Sequence, residues 1–166
     1  MRPSLHNFRM PFLVFAVLAW GSAALRIALM SSPDRTLHHA LGILIVHSLF
    51  VIAGLGGLYA FLGHSFKSDE VAAGIGWPKG NPFQREVAVA NLAFSTLGIA
   101  SIWMSPDFWT AAVFGYSVWL VGCGEVHVRE IRFNNNRSPL NSGGILIFTF
   151  GVPVVLLLLL IAYHAT

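Results

Sequence analysis

The chain has 166 residues, of which 55% are hydrophobic and only 10% are charged, and its mean hydropathy is +0.69. A soluble domain carries about 25% charged residues, so this composition excludes an ordinary soluble globule and indicates apolar surface that faces lipid. The net charge of +3 comes from basic residues scattered between apolar segments. We therefore predict the lipid bilayer as the main partner and expect no nucleic-acid partner.

Five segments approach or exceed the roughly 20 apolar residues that cross a hydrocarbon core. They cover residues 8–30, 37–62, 82–104, 108–128 and 144–163. We predict an all-α integral membrane bundle of five transmembrane helices that forms a single membrane domain over residues 1–166. The last segment has no ionisable residue in its apolar stretch, so we expect it to be peripheral to a four-helix core. The third and fourth segments are joined by three residues, which predicts a tight antiparallel hairpin.

The distribution of basic residues predicts the orientation of the bundle. Cytoplasmic loops of membrane proteins carry an excess of Lys and Arg. Only Arg26 and Arg35 fall on one side, and the other eight fall on the opposite side: Arg2, Arg9, Lys67, Lys79, Arg85, Arg129, Arg132 and Arg137. We therefore expect the N-terminus inside, the C-terminus outside and a multi-pass location in the inner (plasma) membrane.

The first segment has a second interpretation. Arg2 and Arg9, followed by an apolar stretch and the small residues 21–24, resemble a signal peptide with its cleavage site. Both interpretations fit these residues, and we expect a retained helix.

Residues 63–85 are predicted to form a structured loop on the cytoplasmic side. Ser68, Asp69 and Glu70 are typical of a helix start, and we expect a short helix through about Ala73. Glycines and prolines then break regular structure. Asn81 is expected to cap the third transmembrane helix, with a side chain three residues later reaching back to it. The loop either ties two helices together at the interface or covers a pocket.

Several polar residues are predicted to lie at the same depth, near the cytoplasmic ends of the helices. An ionised carboxylate inside a membrane costs roughly 2.5–3.5 kcal/mol at a helix centre, so it usually has a function or a partner. On the predicted hairpin, Glu86 and Glu125 could face each other. The candidates for ligand binding or proton handling are Glu86, Glu125, His64, Gln84, Asn91, His127 and Trp77.

Each candidate also has a structural alternative. Glu125 is four residues before Arg129, which favours an ion pair on one helix face. Glu86 can be an interfacial carboxylate near Arg85, and the histidines can be interfacial as well. The sequence has no Glu-x-x-His pattern and no zinc spacing, so we predict no metal site. It offers no nucleophile motif either, and the catalytic residues and cofactors stay unassigned.

The loop carries a family resemblance. The stretch Gly76-Trp77-Pro78-Lys79-Gly80-Asn81-Pro82-Phe83-Gln84-Arg85-Glu86-Val87 resembles the signature of an uncharacterised family of small bacterial multi-pass membrane proteins. That signature has Ser where this chain has Asn81. The resemblance covers about half of the chain and implies no activity. A looser similarity, in topology, is to the DoxX-like membrane proteins, which are linked to quinone and thiol redox chemistry.

Three functions fit these observations. The first is a polar pocket at the cytoplasmic end of the bundle that binds a small amphiphile, a quinone-like ligand or a proton. The second is an accessory or assembly subunit of a larger membrane complex. The third is a small transporter, which would have to act as a homo-oligomer because five helices show no internal repeat.

Overall fold

The structure is a computed structural model that describes residues 11–166, and its regular elements there are all helical. Predictions that involve Arg2, Arg9 and the first residues of segment 8–30 lie outside the described residues. The elements are α1 (Pro11–Ala28), α2 (Leu37–Ser48), a π-helical segment (Leu49–Leu55), α3 (Gly56–Phe66), α4 (Ser68–Ile75), α5 (Phe83–Ala100), α6 (Pro106–Asn134) and α7 (Gly144–His164).

One long helix lies at the centre of the molecule. It consists of α2, the π-helical segment and α3, which run without a break from Leu37 to Phe66. We call it the central helix. It contacts every other helix of the described chain. Its side chains Ile45, Leu49 and Ile52 are fully buried in the apolar core.

Small residues bring α5 against the central helix. The Ser95 hydroxyl donates to the Gly54 carbonyl at 2.7 Å, which requires the two backbones to lie close together. A side chain on Gly98 would collide with the backbone of Gly54 and Leu49, and Gly57 faces the backbone of Asn91 in the same interface. Gly54, Gly57 and Gly98 therefore permit the close approach of the two helices.

The last helix belongs to the core, and the prediction that it is peripheral was wrong. Along α7, Leu156, Leu160 and Tyr163 are buried, and the helix packs against α6 and α2. The sequence is apolar on every face of α7, so its composition did not distinguish the side that meets protein from the side that meets lipid.

The predicted hairpin of the third and fourth segments also needs correction. A short turn joins α5 to α6, but the two helices make few contacts. Among them, the Phe94 ring meets the rings of Tyr116 and Trp119, with centroids 5.7 and 5.9 Å apart. The reason is that α5 packs closely on the central helix, whereas α6 packs on α7. This divergence leaves space between α5 and α6.

Within residues 11–166, three helices are long and apolar enough to cross a membrane. They are Leu37–Phe66, Pro106–Asn134 and Gly144–His164, and α1 contributes a shorter apolar stretch, Phe12–Ala28. Many large apolar side chains are exposed on these helices, among them Val17, Leu158 and Ile161. Such a surface fits a membrane location, because soluble proteins rarely expose large apolar patches to water.

The segment after the central helix is structured, as the sequence indicates. The helix α4 extends to Ile75, two residues beyond the expected end, and Gly76 ends it with a positive φ of 84°. Helix α5 begins at Phe83 with Pro82 at its N-cap position, one residue later than predicted, and the Asn81 side chain accepts a hydrogen bond from the Phe83 N–H at 3.0 Å. The expected return of Gln84 to this cap was wrong, because its side chain bonds to His64 instead.

Candidate functional site

A cavity of about 420 Å³ occupies the space between α3 and α5 on one side and α6 and α7 on the other. It exists because α5 follows the central helix while α6 follows α7. Its walls are mostly apolar or aromatic, with Gly57, Ala60, Val87, Tyr116, Trp119 and Phe148 among the lining residues. A mostly apolar cavity with a few polar groups is typical of a small-molecule site.

A second cavity, of about 410 Å³, adjoins the first. It lies beside α3 and α4, and its lining includes Tyr59, Leu62 and Phe66. The two cavities share a wall that contains His64 and His127. The two imidazole rings are thus the polar groups common to both spaces.

The His64 ring is held by the start of the neighbouring helix. Its Nδ1 donates a hydrogen bond to Oε1 of Gln84 at 2.5 Å, and Gln84 itself is buried. The amide oxygen can only accept, so Nδ1 carries the proton. In a neutral ring this leaves Nε2 as an acceptor, and Nε2 has no partner among residues 11–166. The cap on α5 positions this contact, because it fixes the helix turn that contains Gln84.

The His127 ring is oriented by Asn141, which is fully buried. The Asn141 amide nitrogen donates to the carbonyls of Asn136 at 2.8 Å and His127 at 3.4 Å. Its oxygen therefore faces Nδ1 of His127, which donates to it at 2.8 Å. The second ring, like the first, is protonated at Nδ1 and presents Nε2 as an acceptor without a partner in the described chain.

Two loops meet beside His127 and position Trp77. The Asn136 side chain donates to the Ile75 carbonyl at 2.9 Å, and the Leu140 N–H donates to the Gly74 carbonyl at 3.1 Å. These bonds join the end of α4 to the segment between α6 and α7. The Trp77 ring lies nearly parallel to that of His127, with centroids 6.4 Å apart, and it lines the first cavity.

The two carboxylates lie outside this arrangement. Glu86 and Glu125 are exposed, and neither lines a cavity. Glu125 pairs with Arg129 at 3.4 Å along the surface of α6, as the structural alternative predicted. Asn91 does line the first cavity, although its amide nitrogen donates to the Val87 carbonyl of its own helix at 2.9 Å. The structure therefore brings five of the seven candidates together: His64, Gln84, Asn91, His127 and Trp77.

Sequence reasoning missed the partners of His127. Asn141 and Asn136 lie in the segment between α6 and α7, for which we made no structural prediction. A usable signal was present, because residues 134–142 contain four Asn and two Ser. Such residues bond to nearby backbone and indicate an ordered loop. Tyr116 and Trp119, which also line the first cavity, were missed because aromatic residues are common in membrane helices. Cys123 lines it as well and was missed because a single cysteine indicates no particular site.

The first cavity has a side that faces outward. Val118, Gly122 and Val126 occupy one face of α6, line the cavity and are also exposed. The cavity therefore opens through the apolar surface between α5 and α6. Among the described residues, no group of three or more His, Cys, Asp or Glu side chains comes together as a metal ion would require.

A family model described as "Family of unknown function (DUF6790)" matches residues 9–166. The chain belongs to the DUF6790 family. No curated protein and no solved structure matches it. The prediction of an uncharacterised family is confirmed, whereas the comparisons support neither the signature motif nor a similarity to DoxX-like proteins. Membership of DUF6790 assigns no activity to the chain.

Proposed function

We propose that this protein spans the membrane and binds a small amphiphile in the first cavity. The observation that carries the proposal is a cavity of about 420 Å³ with apolar walls and two oriented histidines at one end. An apolar body would bury its surface against the walls, at roughly 25 cal/mol per Å². A polar head would bond to the imidazole rings. His64, Gln84, His127, Asn91 and Trp77 form the site, and Glu86 and Glu125 remain candidates for proton handling outside it.

The route of entry supports a ligand that dissolves in the bilayer. The opening along Val118, Gly122 and Val126 lies on the exposed apolar side of α6, which is one of the helices apolar enough to cross a membrane. A molecule in the hydrocarbon region would reach the cavity without passing through water. This favours an amphiphile over a water-soluble metabolite.

The membrane arrangement that we propose has five crossing helices, the N-terminus inside and an inner-membrane location. The shorter apolar helix α1 would add a fourth crossing to the three long helices. The fifth would be α5, which lies along the central helix from Gln84, beside His64, to Gly98, beside Gly54. The excess of Lys and Arg at the His64 end of the bundle supports a cytoplasmic position for that end.

The proposal can be tested with a brominated six-carbon alcohol, bromohexanol, because bromine quenches tryptophan fluorescence on contact. Trp77 and Trp119 line the cavity. Titration of the detergent-solubilised protein should give saturable quenching. Quenching that rises linearly with bromohexanol concentration, as partition into the micelle alone would give, contradicts the proposal.

A matched pair of variants sharpens the test. Gly122 lines the cavity, and a side chain there would meet no atom within 4 Å, so Gly122→Leu should fill the opening without strain. Gly151 on α7 has the same free space but does not line the cavity. We expect Gly122→Leu to remove saturable quenching and Gly151→Leu to retain it. Equal quenching in the two variants would rule out this cavity as the site.

A further inference from the structure

We propose that the cavity selects a ligand whose polar head is a hydroxyl group, held at His64 and His127. The proposal rests on the function proposed above and specifies the chemical class of its ligand. It follows from the hydrogen-bonding capacity that the cavity presents and from the charge that it lacks.

The two histidines present acceptors. Both rings are protonated at Nδ1, because Gln84 and Asn141 offer only an amide oxygen there. Each Nε2 therefore needs a donor, and none of residues 11–166 supplies one. A hydrogen bond to an accessible acceptor is worth about 0.5–1.5 kcal/mol net, so a ligand that donates to Nε2 gains affinity over one that does not.

Other lining groups present donors. The indole N–H groups of Trp77 and Trp119 and the Tyr116 hydroxyl have no acceptor among the described residues, and all three residues line the first cavity. A hydroxyl donates one hydrogen bond and accepts two, so it can bond to a histidine and to one of these donors together. An ether or a ketone can only accept and leaves both histidines unpaired.

The charge of the lining excludes an ionic head. None of the described residues that line the first cavity is Lys, Arg, Asp or Glu, and Lys67 lines only the second cavity. A carboxylate or an ammonium group would therefore lose its hydration without gaining a counter-ion. A neutral alcohol or phenol avoids this cost.

The test compares bromohexanol with its methyl ether, which has the same chain and bromine but cannot donate. The affinity of each probe is given as its concentration in the micelle at half-maximal quenching. This removes the effect of the different partition of the two probes into the micelle. We expect bromohexanol to bind about fivefold more tightly, in line with the net worth of a hydrogen bond. Equal affinities would overturn this inference but leave the proposed function intact. Absence of saturable quenching by either probe would overturn both.

A variant locates the preference. His127→Phe should remove most of the difference between the two probes, whereas His38→Phe should leave it unchanged. His38 lies at the opposite end of the bundle, where it bonds to Thr166 and stacks on Tyr163. A preference that survives in His127→Phe would exclude this ring as the acceptor.

The wild-type protein provides a measurement that does not depend on the folding of a variant. Protein labelled with ¹⁵N in histidine shows separate signals for protonated and unprotonated ring nitrogens. Saturation with bromohexanol should move the Nε2 signal of His64 or His127, because a donor then bonds to its lone pair. The methyl ether should leave these signals in place. Equal shifts from the two probes would contradict a hydroxyl-specific site.

Discussion

The buried Asn141 fixes the chemistry of a histidine fourteen residues before it. Its amide accepts from the His127 ring and donates to two carbonyls, so one side chain satisfies a ring and two backbone groups. A Ser or Leu at this position could not do all three. Asn141 therefore acts as a positioning residue, since it sets which ring nitrogen faces the cavity.

The first prediction concerns this residue. Asn141→Leu removes three hydrogen bonds in a fully buried place, and the orphaned carbonyls should lower the free energy of unfolding by about 2–4 kcal/mol. Thermal unfolding in detergent, followed by circular dichroism, measures the loss as a lower midpoint. Asn134→Ala is the control, because Asn134 bonds only to the exposed side of Glu130 one turn away. Equal midpoints for the two variants would contradict the role of Asn141.

At the scale of the elements, the contact of α5 with the central helix sets the shape of the site. Gly98 lies against the backbone of Gly54 at one end of the contact, and Gln84 meets His64 at the other. The position of α5 is therefore fixed at two points, by the close backbone contact at Gly98 and by the hydrogen bond of Gln84. Its distance from α6, and with it the volume of the cavity, follows from this contact.

The second prediction tests this contact. Gly98→Ala puts a methyl group into the backbone of Gly54 and Leu49, so the helices must separate. Overpacking of this kind costs about 1–3 kcal/mol. Gly151→Ala on α7 is the matched control, because it meets nothing within 4 Å and should leave the unfolding midpoint unchanged or slightly raised. An unchanged midpoint in Gly98→Ala would show that the contact is looser than described.

The sequence predicted where the helices lie along the chain better than it predicted which helices pack against each other. Hydropathy located the apolar segments, because a membrane helix needs a long apolar run wherever it packs. The cap signal at Asn81 predicted the start of α5 to within one residue, because a helix start depends on local geometry. The pairing of α6 with α7 was not predictable, because the surface of α7 is apolar all round and carries no marker of its partner.

The prediction of the candidate site was limited in the same way, because local patterns do not encode how helices pack. His64 and Gln84 were recognised because both lie at helix ends near the distinctive loop. Glu86 and Glu125 were candidates because a carboxylate in an apolar segment is costly, but Glu86 lies in the first turn of α5 and Glu125 pairs with Arg129. Neither carboxylate therefore needs a pocket. Which side of a helix faces the cavity depends on packing at residues such as Gly98, and no local pattern encodes it.

At the scale of the whole molecule, the bundle has two distinct ends. The start of α2 and the C-terminus lie together, since His38 bonds to Thr166 and His164 bonds to Thr110 at the start of α6. The histidine site, α4 and the loop with Trp77 lie at the other end. The orientation proposed above makes the second end cytoplasmic.

The third prediction tests this orientation. Cys123 is the only cysteine, so Cys123→Ala provides a background without thiols. In this background, Ser32→Cys lies in the loop before α2 and Ser68→Cys lies at the start of α4. A membrane-impermeant maleimide added to intact bacterial cells should label Ser32→Cys and label Ser68→Cys only after lysis. The reverse pattern would invert the proposed topology.

The shared wall between the two cavities has a thermodynamic consequence. His64 and His127 border both spaces, so a molecule in either one contacts the same two rings. Occupancy of one space would then change the free energy of binding in the other, and the change would be reciprocal. If the first molecule to bind orders the rings, the second binds more tightly. Each molecule then raises the affinity of the other by the same factor. Two adjoining cavities with a common pair of side chains would thus behave as linked sites.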